Sequence, residues 1–119
     1  MTYVQGFLLP VKTARKADYK EIAEKSWVLF KEYGALSCCE AWGTAVPDGK
    51  VTSFPMAVKK EDDETVVFSW IVWPDQKTAD ACMATMESDP RWEEVMPNAN
   101  EIMGMKRMIF GGFEPLVSY

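Results

Sequence analysis

The chain contains no histidine among its 119 residues. That absence excludes Ser-His-Asp and Cys-His catalytic arrangements, His-liganded zinc, the two-His-one-carboxylate iron site and a haem held by a proximal histidine. Cysteine is scarce too: Cys38, Cys39 and Cys82, with no CxxC spacing. Neighbouring cysteines in a strand point to opposite faces and bridge only under severe strain, so reduced, core-packed thiols are expected. No metal and no cofactor is expected.

Positive charge is in deficit, with 13 basic against 18 acidic side chains and a net charge of −5. Nucleic-acid binders concentrate positive charge, because phosphate contacts supply most of their affinity. The one compact basic cluster, Lys12, Arg15, Lys16 and Lys20, is diluted by Asp18 and Glu21 and reads as a solvated helix face. No nucleic-acid partner is expected. No apolar run is long enough to span a bilayer, and residues 1–5 lack the basic and apolar regions of a signal peptide. The expectation is a cytoplasmic protein with no membrane partner.

What is present is an ordinary globular composition, 48% hydrophobic and 26% charged, with no repeat or linker, so residues 1–119 are expected to form one domain. Five Trp, six Phe and four Tyr exceed the needs of a small core. Part of that aromatic surface is expected to face a partner subunit or a ligand.

The pattern predicts a strand over residues 2–11, then a helix from about Thr13, where Tyr19, Ile22, Ser26, Leu29 and Tyr33 recur at helical spacing. Gly34 stands at the position of a left-handed C-cap. A second strand is predicted over 35–46, closed by Pro47-Asp48-Gly49, and Thr52 or Ser53 then caps a short helix with Pro55 in its first turn. Residues 61–64 are acidic and are expected as a solvated loop. Residues 65–73 make the strongest strand, an apolar run broken only by Ser69. Pro74-Asp75 starts a helix carrying Ala79, Cys82, Met83 and Met86, and Asp89-Pro90 starts a short one carrying Trp92. Residues 97–104 look irregular. The last strand is predicted over 106–117, where Gly111-Gly112 suggests a bulge or a close backbone approach.

This order gives an α+β, ferredoxin-like βαββαβ fold with an antiparallel sheet, assembled as a dimeric α/β barrel. The dimer follows from the two-residue period of the strands. Val66, Phe68, Trp70 and Val72 lie on one face of the third strand, and Val67, Ser69, Ile71 and Trp73 on the other. Neither face turns polar, and two helices cover only one. A bare apolar layer exceeds what soluble monomers tolerate, so a homodimer through the open sheet face is expected.

Glu40 is the candidate functional residue. It lies in an otherwise apolar to neutral strand, in phase with Leu36, Cys38 and Trp42. A carboxylate on a covered face must find a cation or hydrogen-bond donors, or stay protonated. One reading makes it a general base or ligand-orienting group in a cavity with Trp42 and Trp70. The more ordinary one is an ion pair with Lys106 or Arg107. Arg107 could instead clamp an anionic ligand. The binding set is therefore Glu40, Trp42, Trp70 and Arg107, with no catalytic residue assigned. The C-terminal methionines Met96, Met103, Met105 and Met108 either line an adaptable apolar pocket or fill gaps in the core.

Seven segments carry a family resemblance: residues 3–7 (YVQGF), 30–36 (FKEYGAL), 40–42 (EAW), 46–50 (VPDGK), 66–71 (VVFSWI), 89–91 (DPR) and 106–114 (KRMIFGGFE). On these the chain resembles the YbaA-like family of uncharacterised bacterial proteins, a domain of unknown function in the dimeric α/β-barrel superfamily. The resemblance implies a ferredoxin-like fold and a sheet-to-sheet dimer, and it brings no established reaction. Gly104 departs from the acidic residue usual there, so no role for a carboxylate at that position carries over. Two functions are weighed: a dimeric protein binding a small apolar or aromatic ligand or serving as an interaction module, and a cofactor-independent oxygenase or isomerase using Glu40 and Arg107. RNA association is a distant third.

Overall fold

β1 (Tyr3–Lys12) and β3 (Glu64–Trp73) pair antiparallel along their whole length in the computed structural model, which describes residues 2–119. β2 (Ser37–Trp42) adds to the outer side of β3 and β4 (Ile109–Phe113) to the outer side of β1, giving the strand order β2-β3-β1-β4. The long α1 (Lys16–Glu32) connects β1 to β2. The short α2 (Phe54–Ala57) precedes β3, and α3 (Gln76–Ala84), α4 (Arg91–Val95) and α5 (Ala99–Ile102) fill the path to β4. Both β-α-β crossovers return the chain to the same sheet, which makes the fold ferredoxin-like βαββαβ.

Local chemistry sets the element boundaries. Gly34 ends α1 with φ of +106°, and an added Cβ there would lie 2.7 Å from Thr78 Cγ2. The Ser53 side chain accepts from the Met56 amide at 3.1 Å, and the Asp75 carboxylate from the Thr78 amide at 2.7 Å, so both predicted caps are formed.

Four expectations are corrected. β2 is shorter than predicted, because after Gly43 bonds back to the Val66 carbonyl (2.9 Å) the chain leaves the sheet. Glu64 is not in a solvated loop: it opens β3 and is buried. Residues 97–104 contain α5, whose Ile102, with Met103 after it, is buried against β1. β4 is only five residues long, with Lys106 and Arg107 in a 3-10 turn before it. Its register against β1 shows no bulge. Gly112 instead leaves room for the ring of Tyr3, whose hydroxyl occupies the space a Cβ would need.

The core lies between the sheet and the helices. Val67, Ser69, Ile71 and Trp73 of β3 all point there and are buried, as are Leu9 and Val11 of β1. Trp73 is fully enclosed, and its indole donates to Gln5 Oε1 at 2.8 Å. α4 is tied to α1 by Asp89, which accepts from the Tyr33 hydroxyl at 2.6 Å and pairs with Arg91 at 2.7 Å; Arg91 also reaches Glu32 at 2.7 Å. The opposite face is covered only at one end, where Val66 is buried and Phe54 of α2 packs edge-on against Phe68 with 6.1 Å between ring centroids. Phe68, Ile109 and Phe113 are exposed on this face, and Trp70 and Val72 partly so.

Candidate functional site

Glu40 sits directly opposite Ser69 in the β2–β3 pairing, on the helix-facing side of the sheet. The break that Ser69 makes in the apolar run of β3 therefore falls beside the one carboxylate of β2. Tyr19, in the first turn of α1, completes the group: its hydroxyl donates to Glu40 Oε2 at 2.6 Å. Helical spacing carries Tyr19, Ile22, Ser26 and Leu29 onto one buried face, and Tyr19 is the member of that face that reaches β2.

Burial pushes the Glu40 carboxyl above its ordinary pKa, and the hydrogen bonds from Tyr19 and Ser69 oppose that shift without cancelling it. The residue still meets solvent on one side, through the groove described below, while the protein around its carboxyl end strips away enough water for desolvation to dominate. The Tyr19 hydroxyl is itself held far above its ordinary pKa, by burial first and by the Glu40 charge second. It is a hydrogen-bond donor at any working pH. The Cys38 thiol, beside them on β2, is pushed up to about 11 by burial and then by Glu40, so it is no ready nucleophile.

Tyr19 and Glu40 stand between two hollows and line both. On one side an open groove of about 1070 Å³ runs between α1 and β2. On the other a smaller cavity of about 260 Å³ lies between the sheet and the helices. Phe7, Ile71, Trp92 and Phe110 line this cavity together with six methionines: Met83, Met86, Met96, Met103, Met105 and Met108. Its polar lining is Tyr19, Ser26, Glu40 and Ser69. A small hollow, apolar apart from a few convergent hydrogen-bonding groups and walled by flexible thioethers, suits a small organic molecule with one polar handle.

The structure brings together only part of the sequence-based set. Glu40 and Trp42 share the helix-facing side, and Trp42 lines the groove with Lys16 Nζ 5.2 Å from its ring centroid. Trp70 does not join them. It pairs with Gly6 and Cys39 on the opposite face and packs its ring against Phe68 at 5.4 Å, because odd and even residues of β3 project to different sides. Arg107 is elsewhere as well. Its guanidinium grips both carboxylate oxygens of Glu64, at 2.7 and 2.6 Å, and donates to the Lys59 carbonyl at 2.9 Å. The carboxylate of Glu64 is thereby held below its ordinary pKa. The ion pair expected between Glu40 and Lys106 or Arg107 is replaced by neutral donors. The four C-terminal methionines do line one pocket. Glu61, Asp63 and Glu64 bring carboxylate oxygens within 4.8 Å of one another, and Lys12 answers Asp63 at 2.9 Å while Arg107 holds Glu64.

A family model described as "Protein of unknown function (DUF1428)" matches residues 2–104. The protein described as "Uncharacterized protein YbaA" from Escherichia coli (strain K12) is 50% identical over 119 residues, covering 98% of both chains. The chain is also similar in structure to a variant of SnoaB, a cofactor-independent oxygenase from Streptomyces nogalater, with a TM-score of 0.62, 12% identity and coverage of 98% of this chain and 95% of that one. A dimeric ferredoxin-like protein from an uncultured marine organism covers 100% of both chains with a TM-score of 0.59 and 9% identity. At such identities the two structures speak for the ferredoxin-like fold alone. No described helix is long and apolar enough to cross a membrane.

Proposed function

The chain belongs to the DUF1428 family, and for it we propose a homodimeric cytoplasmic protein that binds one small apolar or aromatic molecule in the methionine-lined cavity, with Glu40 and Tyr19 as the polar anchor. The observation that carries this reading is the Glu40 carboxyl at the wall of a cavity otherwise built from hydrocarbon, aromatic and thioether surface. A core glutamate kept only for packing would be sealed by its partners. This one faces open volume. A ligand hydroxyl, amide or protonated amine donates to the lone pairs of Glu40 that Tyr19 and Ser69 leave open. The dimer is supported by the apolar sheet face that the described residues leave largely open, with Phe54 of α2 set against Phe68 at one end of it, and three unpaired thiols suit a reducing compartment. Thermal-shift screening of the native protein against a panel of small aromatic and apolar metabolites, repeated with Glu40→Gln, is the test. A hit whose shift shrinks in the variant supports the site. No hit, or a hit indifferent to the substitution, rejects it.

A second reading makes the same cavity an active site of the cofactor-independent oxygenase or isomerase type. The raised pKa of Glu40 favours it, since a more basic carboxylate is the better proton acceptor, and SnoaB lends its own chemistry as an analogy. Arg107 has no part in this version, because Glu64 already holds it. Tyr19 takes its place as donor: its one proton, held by Glu40 at rest, turns to the developing enolate once Glu40 has accepted the substrate proton. Turnover that is lost in Glu40→Gln while ligand affinity persists would favour this reading over simple binding.

A further inference from the structure

Beyond β4, residues 114–119 form no helix or strand and pack poorly on their own molecule. Leu116 is 96% exposed, and Val117 and Tyr119 are exposed as well. Among the described residues nothing covers these side chains. At the other edge of the sheet the groove between α1 and β2 has the complementary defect. Leu36 at its lower end is 56% exposed, Trp27 lines the same end from α1, and the outer edge of β2 pairs with no described strand.

We infer that residues 114–119 of a second copy dock into the Leu36–Trp27 end of this groove, so that each subunit's groove is completed by the other's C-terminal segment. The inference rests on the face-to-face pairing proposed above, and it commits that pairing to one arrangement. Two sheets stacked face to face are related by a two-fold axis lying between them. If the axis runs along the strands, the order β2-β3-β1-β4 places β4 of one copy over β2 of the other; if it runs across them, each strand lies over its own counterpart. Only the first arrangement brings the segment within reach. Strand directions are then preserved, so β4 of the second copy ends at the level where β2 begins, beside Leu36 and Ser37. Stacked sheets lie about 10 Å apart, and six extended residues span about 20 Å, enough to round the edge of β2. The apolar side chains on the two sides match in kind: Leu116 and Val117 meet Leu36 and Trp27.

Cross-linking in trans tests this. One full-length chain carries Leu36→Cys and another Val117→Cys, both in a Cys38→Ser, Cys39→Ser background; they are mixed, allowed to exchange subunits and oxidised, with sedimentation run in parallel. A dimer that gains a covalent link only in the mixture supports the docking. A dimer that gives no link in the mixture overturns it and leaves the face-to-face pairing standing. A chain that carries both cysteines and cross-links within itself also overturns it, because the segment would then fold back on its own groove. A monomer in sedimentation removes both claims together.

Discussion

Tyr19 Oη donates to Glu40 Oε2 across 2.6 Å, bridging α1 to the edge strand β2 and forming the wall between the groove and the inner cavity. The bond stabilises the ionised carboxylate against the burial that raises its pKa. Tyr19→Phe keeps the ring and removes the donor. Its expected cost is about 1 kcal/mol, since the groove lets water replace part of the lost bond, and the pKa of Glu40 rises further. Carboxyl-detected NMR titration of Glu40 checks the direction. A pKa unchanged by the substitution would show that the bond does not tune the group.

The acid dependence of stability has two opposing parts. Glu64 and Asp89 are both held below their ordinary pKa, chiefly by Arg107 and by Arg91, so their stabilisation is complete above the ordinary carboxylate range and is lost as pH falls through their folded values. Glu40 runs the other way. Its folded pKa is raised, so the native state holds a proton that the unfolded chain has released, and its contribution falls as pH rises through that window. Glu40→Gln cannot ionise. Its stability relative to the native protein should therefore improve steadily from about pH 4 to about pH 7 in denaturant titrations. A difference that stays flat, or narrows as pH rises, contradicts this assignment.

Arg107→Met strands the Glu64 carboxylate, whose side chain is 1% exposed, without its bidentate partner. Removing one member of such a pair costs about 3 kcal/mol, the low end of the range for buried pairs because a quarter of Arg107 reaches solvent. Chemical denaturation should show that loss. The double variant Arg107→Met, Glu64→Leu should recover much of it, since no charge is then left buried.

Gly112→Ala pushes a methyl group into the Tyr3 hydroxyl. The strand pairing there has no bulge to absorb it, so Tyr3 must leave its place, at a cost of about 1–3 kcal/mol. Pairing with Tyr3→Ala should restore tolerance of the methyl, read as a smaller loss in the double variant than the two single losses predict.

Topology was legible in the sequence because each element carries its own signal: the helical spacing of Tyr19 to Leu29, the Ser53 and Asp75 caps, Gly34 and the apolar run of β3. The site was legible only in half. Period two placed Glu40 and Trp42 on one face, and the same rule puts Trp70 beside Phe68, but matching the phase of β2 to that of β3 needs the register, which no local pattern encodes. Arg107 was misassigned for a related reason. Its partner Glu64 sits in an acidic run that reads as solvated, and only the pairing of Lys12 with Glu64 shows that β3 begins there. The break at Ser69 and the buried hydroxyl of Tyr19 were visible signals of the Glu40 partners. They gain meaning once the strands are aligned.

Sedimentation equilibrium of the native protein at micromolar concentration bears most directly on the whole account, because the pairing of the bare sheet face and the completed groove both depend on it. Two chains per particle are predicted, with Phe68→Glu, at the exposed centre of that face, shifting the population to single chains while the far-ultraviolet circular dichroism stays unchanged. A native protein that sediments as one chain, with Phe68→Glu indistinguishable from it, would contradict the account.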